Sequence, residues 1–286
     1  MKKYNNKAVK IKIAVTGGKG GTGKSTVATA LAVELAKTKK ILLMDADTDC
    51  PNDHLIISIK RKKEKDIFQL MPKWDFKKCI KCSKCAQICR ANAILFVKER
   101  YPIFVKDLCT GCGACILACP TRAISRDKQA IGTIYSGKGH GIDLITAEMR
   151  IGYEEASPVV NALKKFSAKA ENKYDHIIID TAPGTHCNVI SALLGCDSAI
   201  AVTEPTPLGA ADLDLILQLC NVLKVPATVI LNRADVGDRE LIKKIAKKYN
   251  TKIIAEIPYK KEILEAYSRG EPVKDLSINK IIKKIK

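Results

Sequence analysis

With 286 residues, 47% of them hydrophobic, the chain is long enough to bury one large α/β core, alone or with a small module attached, and it needs no covalent staples to fold. Its 49 Lys and Arg against 30 Asp and Glu leave a formal charge of +19, a balance that attracts nucleotides, anionic surfaces or an acidic protein. Twelve clustered cysteines in a chain of this size exclude a disulfide-stapled mini-protein and indicate metal in a reducing compartment.

Met1 to Val9 is short and polar without an apolar h-region, and no later stretch approaches about eighteen uninterrupted apolar residues, so a cytoplasmic protein is expected. Lys10 to Val15 is a β-branched apolar run that reads as a buried strand, and Thr26 to Lys37 carries Ala, Leu and Val at helical spacing. Between them Gly17-Gly18-Lys19-Gly20-Gly21-Thr22-Gly23-Lys24-Ser25-Thr26 forms a strand-to-helix turn that reads as a phosphate cradle. The glycines let the backbone wrap an anion, the helix N-terminus adds its positive dipole end, and Lys24 and Ser25 reach the β/γ-phosphates of ATP and a Mg²⁺ ion. A merely flexible glycine loop would not need G-x-x-x-x-G-K-[ST] in this context.

Lys40 to Asp45 reads as the second strand, ending in Asp45-Ala46-Asp47; two carboxylates there lie on the ligand-binding edge of an open parallel sheet. Leu55 to Ile59 continues the fold, and the charge run Lys60 to Lys65 reads as a boundary. Two copies of one unit follow, Cys79-x₂-Cys82-x₂-Cys85-x₃-Cys89 and Cys109-x₂-Cys112-x₂-Cys115-x₃-Cys119-Pro120, with matching Ala93-Ile94 and Ala123-Ile124. The spacing is that of a bacterial two-cluster ferredoxin. The fourth cysteine of each run then serves the other cluster, so Cys79, Cys82, Cys85 and Cys119 hold one [4Fe–4S] cluster and Cys109, Cys112, Cys115 and Cys89 the second. The competing reading is a pair of structural zinc sites, which normally pair two separated C-x₂-C hooks instead of packing four cysteines into eleven residues. Arg90 stands where the ferredoxin pattern has proline and sets a positive charge beside one cluster.

Gly132 to Gly152 reads as a hairpin and return strand, Glu155 to Asn172 as a helix, and His176 to Asp180 as a buried strand leading into Thr181-Ala-Pro-Gly184. Cys187 is left as a structural or redox-accessible thiol, and Cys50, Cys196 and Cys220 as buried small apolar residues. Strands at Ser198–Thr203, Ala227–Leu231 and Lys252–Ile257 alternate with helices at 210–223 and 238–249, which implies a parallel sheet with helices on both faces. The tail 277–286 sets isoleucines on one face and lysines on the other, the pattern of a terminal helix docked on its own core or of an interfacial helix.

The loop with its second lysine, Lys19, resembles the deviant Walker A motif of the MinD/ParA superfamily, which includes dinitrogenase reductase and Mrp-type ATPases. The resemblance implies an ATPase and a doubly wound, mostly parallel α/β sheet. Residues 1–66 and 128–286 form that domain and residues 67–127 are an inserted α+β ferredoxin-like module. It further implies that Gly18 and Gly20 to Gly23 wrap the phosphates and that Lys24 and Asp47 take part in phosphoryl transfer. Ser25, Asp47 and Asp180 would hold Mg²⁺, the Gly184 N–H would sense the γ-phosphate, and Asn232, Arg233 and Pro258 would contact adenine. Lys19 would reach the phosphates of a facing subunit in a nucleotide-dependent homodimer, or heterodimer with a paralogue.

These readings converge on ATP-gated electron transfer to a redox protein. Two alternatives stay open: an assembly or carrier ATPase for iron–sulfur or related cofactors, and a membrane-associated positioning ATPase. Nucleic acid and membrane are not the expected partners, because the lysines are spread along the chain without aromatic interleaving and the tail lacks bulky aromatic anchors.

Overall fold

The computed structural model describes residues 10–273 together with Ile278, Ile281 and Ile282; the polar segment 1–9 and the tail lysines at 280, 283, 284 and 286 lie outside the described residues. The chain runs β1 (Ile11–Thr16), α1 (Lys24–Leu35), β2 (Ile41–Ala46), α2 (Asp53–Ile56), β3 (Lys62–Trp74), α3 (Lys84–Gln87), β4 (Ile94–Leu95), β5 (Ile103–Phe104), α4 (Ala114–Ala118) and β6 (Ile124–Gly139). It continues β7 (Ile142–Met149), α5 (Ser157–Ser167), β8 (His176–Thr181), α6 (Cys187–Leu193), β9 (Ser198–Thr203), α7 (Pro207–Val222), β10 (Ala227–Asn232), α8 (Arg239–Lys248), β11 (Ile253–Ile257) and α9 (Lys261–Arg269).

One nine-stranded sheet carries the order β11-β10-β9-β1-β8-β2-β7-β6-β3. The strands from β11 to β7 pair in parallel, and β6 and β3 add antiparallel to that edge. The central strands are buried on both faces, as their unbroken Ile, Val, Leu and Ala runs require. One face packs α1 and α2 against Ile13, Leu43 and Ile178; Ile278 and Ile281 are buried in the same layer. The tail isoleucines that are described therefore dock on the chain's own core. The opposite face packs α6, α7 and α8 at one end and α5 at the other.

Ala28, Ala30 and Ala32 are buried in α1 together with the larger Val27, Leu31 and Leu35, so the helix is covered on most of its circumference. Thr206 caps α7, accepting from Gly209 N at 3.0 Å with Pro207 at the first helical position, and Asp238 caps α8 through Glu240 N.

The charge run at 60–65 differs from its expected role. Lys62 to Lys65 open β3, which pairs antiparallel with β6 from Lys62 opposite Ser136 to Trp74 opposite Ile124, with register shifts at Glu64 and between Ile67 and Phe68. Lysines suit this position because β3 is the sheet's edge, where charge blocks further strand addition. The junctions at 66/67 and 127/128 thus fall inside continuous strands. The expected hairpin at 132–152 is β6–β7, turned by His140 and Gly141, both at positive φ as a two-residue turn demands.

Beyond the sheet, the β3–β6 ribbon carries the cysteine-rich segment. Its two halves repeat backbone features thirty residues apart: Lys81 and Gly111, Ser83 and Gly113, and Asn92 and Arg122 all take positive φ. Ala93 N donates to Cys89 Sγ at 3.3 Å and Ala123 N to Cys119 Sγ at 3.2 Å. A small core of Cys85, Ile94, Cys115 and Ile124, flanked by Trp74 and Phe104, closes the unit.

Candidate functional site

Every strand that brings a candidate residue does so at its C-terminal end, where parallel strands open a crevice. The loop from Gly17 to Gly23 connects β1 to α1, with Gly21 and Gly23 at φ +80° and +92°. A Cβ on Gly18 would lie 2.3 Å from Asp212 Cβ, so only glycine lets α7 pack against the loop. Asn232, at the end of β10, donates from Nδ2 to Thr22 O at 2.9 Å and holds the loop from its far side. Thr22 Oγ1 is buried without a protein partner.

Lys24 is nearly buried and donates to Lys19 O at 2.8 Å. Burial pulls its ammonium below the usual lysine range, against the opposing pull of Asp180, Asp47 and Asp212. A cavity of about 430 Å³ opens over it, lined by Lys24, Ser25, Asp47, Asn232, Arg233 and Pro258 among others. Gly20, Gly21, Gly23 and Thr26 line the same cavity, while Ile263 and Tyr267 of α9 add an apolar wall that the sequence did not reveal. Two expected residues are engaged elsewhere. The Gly184 N–H donates to Gly17 O at 3.1 Å, and Lys19 Nζ lies 3.4 Å from Glu204 Oε2, whose other oxygen accepts from Arg233 at 2.8 Å. Glu204 was not singled out from the sequence, because a Glu after a strand carries no spacing signal.

Under the loop, Asp45, Asp53 and Asp180 bring carboxylate oxygens within 4.8 Å of one another, each residue fully buried. Asp45 accepts from the Asp47 and Asp53 N–H groups, both at 3.2 Å, whereas both oxygens of Asp53 and of Asp180 lack a hydrogen-bond partner. Burial raises all three above the carboxylate range; Asp180 reaches about 7, with the Lys24 ammonium restraining the rise. Orphaned, desolvated, all-oxygen ligands fit a hard divalent cation. Asp47 stands outside this trio and faces the cavity. Asp53 has no counterpart among the expected metal ligands, since it sits in no recognisable motif.

The eight cysteines of the two runs line two small cavities. Cys79, Cys82, Cys85 and Cys119 surround one, and Cys89, Cys109, Cys112 and Cys115 the other, so each draws three sulfurs from one run and one from the other. Burial pushes the Cys85 and Cys109 thiols up, and Cys115 up to about 11, with Cys109 and Cys112 repelling its charge. For Cys119, burial is outweighed by donors that include the Ala123 N–H and the Thr121 hydroxyl. Among the described residues the carboxylate trio is the group of three or more ligand atoms found within 4.8 Å of one another. A single tetrahedral zinc with Zn–S of about 2.3 Å needs its sulfurs about 3.8 Å apart, closer than any three of these sulfurs stand. Cys187 is exposed at the start of α6. Cys50 is exposed in the loop after β2, contrary to its expected burial, because the loop turns outward there; Cys196 is part-buried and Cys220 buried.

The sequence matches the CobQ/CobB/MinD/ParA nucleotide binding domain over residues 13–273. It is similar to an uncharacterized protein of Methanocaldococcus jannaschii, 34% identical over 260 residues that cover 91% of this chain and 90% of that protein. It is also similar to the iron–sulfur cluster carrier protein of Pyrococcus abyssi, 24% identical over 95% of this chain and 81% of the relative. Among solved structures, the septum site-determining protein MinD of Pyrococcus horikoshii, complexed with Mg-ADP, superposes with a TM-score of 0.60 at 18% identity, covering 97% of this chain and 96% of that one.

Proposed function

The chain belongs to the CobQ/CobB/MinD/ParA nucleotide-binding family and is an ATPase of the MinD/ParA type; from that premise we propose that it is a nucleotide-gated iron–sulfur protein passing electrons to a protein partner. The observation that carries the redox half is the pair of four-cysteine cavities, each closed by a cysteine from the opposite run. When bound, two [4Fe–4S] clusters would supply one-electron transfer. The backbone halves that repeat around those cavities support a ferredoxin-like module at 67–127.

Lys24, Ser25 and the Gly20–Gly23 backbone hold the phosphates of ATP, while Asn232, Arg233 and Pro258 flank the base. Asp180 and Asp47 would hold Mg²⁺, which would neutralise charge on the γ-phosphate, and Asp47 would orient the water. Lys19 leaves Glu204 to meet the phosphates of a facing subunit, so closure of a dimer depends on nucleotide. The segment after Asp47 runs through α2 directly into β3, and His140 on the β6–β7 turn contacts Ile57 O at 2.8 Å. Movement at Asp47 therefore has a continuous path to the cysteine module.

A second reading, a carrier of iron–sulfur clusters, is favoured by the named function of the Pyrococcus relatives. The closed quartets argue against it, because a carrier must release its cargo. The positioning reading loses its support in the buried Ile278 and Ile281.

Anaerobic purification with iron analysis and EPR tests the proposal. About eight iron atoms per chain are expected, with reduction potential or reoxidation rate differing among ATP-analogue, ADP and nucleotide-free states. Zinc in place of iron overturns the redox function, and identical redox behaviour in all three states overturns the gating. Transfer of iron and sulfide to an apo-acceptor would establish the carrier reading in its place.

A further inference from the structure

We propose that the cysteine module docks an acidic electron-carrier protein on the face of its first run, around Ile80, Lys81 and Lys84, while its second run faces the ATPase body. The inference rests on the redox reading above and gives that reading a partner of defined chemistry.

The two runs repeat one backbone, so a difference between equivalent positions shows what each half faces. Lys81 and Ser83 match Gly111 and Gly113 thirty residues on, all four at positive φ. In the second run glycine is required by space as well as by φ. A Cβ on Gly111 would lie 2.6 Å from Gln69 Cγ and one on Gly113 2.9 Å from Leu70 Cδ2, and Gln69 Nε2 donates to Cys109 O. Strand β3 therefore covers that loop. Asp107, just ahead of it, reaches Tyr153 in the loop after β7, adding to the rise that burial causes in the phenol. The first loop is open instead: Ile80, Lys81 and Lys84 are exposed, and the same backbone turn carries side chains.

Charge separates the halves in the same sense. Residues 75–90 hold five Lys and Arg against one Asp, whereas the equivalent residues 105–120 hold one Lys and one Asp. Lys81 and Lys84 line the first cysteine cavity, while the described lining of the second includes no charged side chain. Lys78 pairs with Asp75 at 3.2 Å, but Lys77, Lys84 and Arg90 make no ion pair among the described residues. Lys81 Nζ lies 4.8 Å from the centroid of the Tyr101 ring, which stacks on Phe76 with centroids 4.8 Å apart, and both rings are exposed. An exposed apolar centre within a rim of unpaired cations is the anatomy of a protein-docking patch, and its sign selects a partner with carboxylates around its own redox centre. Cys82 and Cys112 are both exposed, so access alone does not choose between the runs; charge and cover do. Clusters bound to four thiolates each would add like charge to both halves and leave the difference intact.

The test uses anaerobically purified full-length protein, with iron content and melting temperature recorded for every variant. The probe is a plant-type [2Fe–2S] ferredoxin, an acidic carrier, with basic cytochrome c as control, and binding is measured by calorimetry at several salt concentrations. Wild type is expected to bind the ferredoxin, to lose about 10-fold or more in affinity between about 50 and 300 mM salt, and to bind cytochrome c about 10-fold more weakly or worse. Lys81→Glu combined with Lys84→Glu should weaken ferredoxin binding about 10-fold or more at low salt, while Lys106→Glu on the second run should change it less than about twofold. Lys77→Glu, ahead of the cysteine run, repeats the measurement if the double variant loses iron. Ile80→Ser should weaken binding about 3-fold or more with the salt dependence kept, because Ile80 is 62% exposed and has little packing to lose. The proposal is overturned if wild type does not bind the ferredoxin, if charge reversal on the first run weakens binding no more than Lys106→Glu does, or if Ile80→Ser binds like wild type. Tighter binding to a mixed-sequence RNA oligonucleotide than to the ferredoxin would assign the face to nucleic acid and overturn it as well. Docking is read without turnover, so the two readings fail separately: zinc in the cysteine sites with docking retained sinks the redox function and leaves an acidic-protein dock, and iron without docking sinks the dock alone.

Discussion

Replacing Asn232 should loosen the phosphate loop from outside the motif. Its Nδ2 satisfies the Thr22 carbonyl at 2.9 Å, and Thr22 is 1% exposed, so no water replaces the lost donor. Stranding a buried acceptor costs about 1–3 kcal/mol. At about 1.4 kcal/mol per decade, that becomes about 5- to 150-fold weaker binding when the loop must be ordered to bind. Asn232→Ala should show this loss, and Asn232→Asp a larger one, since it keeps the shape while setting a carboxylate against a carbonyl and the incoming phosphates. Because Asn232 also lines the base side of the cavity, ATP affinity alone would mix two effects. Competition with inorganic triphosphate, which has no base, isolates the loop. Triphosphate affinity within twofold of wild type in Asn232→Ala, or tighter binding by Asn232→Asp than by Asn232→Ala, would refute the reasoning.

Lys19→Gln should leave the melting temperature within a degree or two, because Lys19 is partly exposed and its pair with Glu204 is worth little. Its ATP hydrolysis should nevertheless fall at least 10-fold, and unchanged hydrolysis would remove Lys19 from the reaction. Gly18→Ala places a Cβ 2.3 Å from Asp212 Cβ and 2.8 Å from its Cα, which should cost about 1–3 kcal/mol and several degrees of melting temperature. Gly20→Ala, with nothing within 4 Å, is the control and should melt like wild type. In metal-free protein, Asp180 titrates near 7 when folded against 3.8 in its ordinary state. The folded chain then keeps a proton that the unfolded chain has lost, so stability from this group is full below about 4 and falls as pH rises through about 7. Asp180→Asn should flatten the melting profile between about pH 4 and 7 in chelator; an unchanged slope would show that the group does not titrate there.

The phosphate loop, the two central carboxylate strands and the cysteine runs were legible because each is dictated by spacing. Glycines must stand where the backbone turns left-handed or meets α7, and cysteines repeat where three sulfurs face one cavity. Buried parallel strands announce themselves as unbroken apolar runs. Strand β3 was illegible for the opposite reason. An edge strand keeps lysines on its exposed positions, so Lys62 to Lys65 look like a solvated linker while their backbones pair with β6. Asp53 and Glu204 were also hidden, since what matters about them is burial and long-range proximity: Asp53 meets Asp180 across the fold and Glu204 meets Lys19 and Arg233. Neither contact leaves a periodic mark in the sequence. Cys50 failed as a core residue because small size permits burial without requiring it.

The β3–β6 ribbon gives the cysteine module the topology of a loop on a stem. The stem's lower rungs, from Lys62 opposite Ser136 to Ile67 opposite Gly132, are shared with the large sheet through β7. The upper rungs, from Phe68 opposite Ala130 onward, belong to the module alone. An ancestral sheet edge could therefore acquire or discard everything above the Asp66–Thr133 hydrogen bond, 2.9 Å long, by closing a short hairpin there, without reordering any strand of the nucleotide site. In such a chain the cysteine module is separable in its inheritance and rigidly joined in its mechanics.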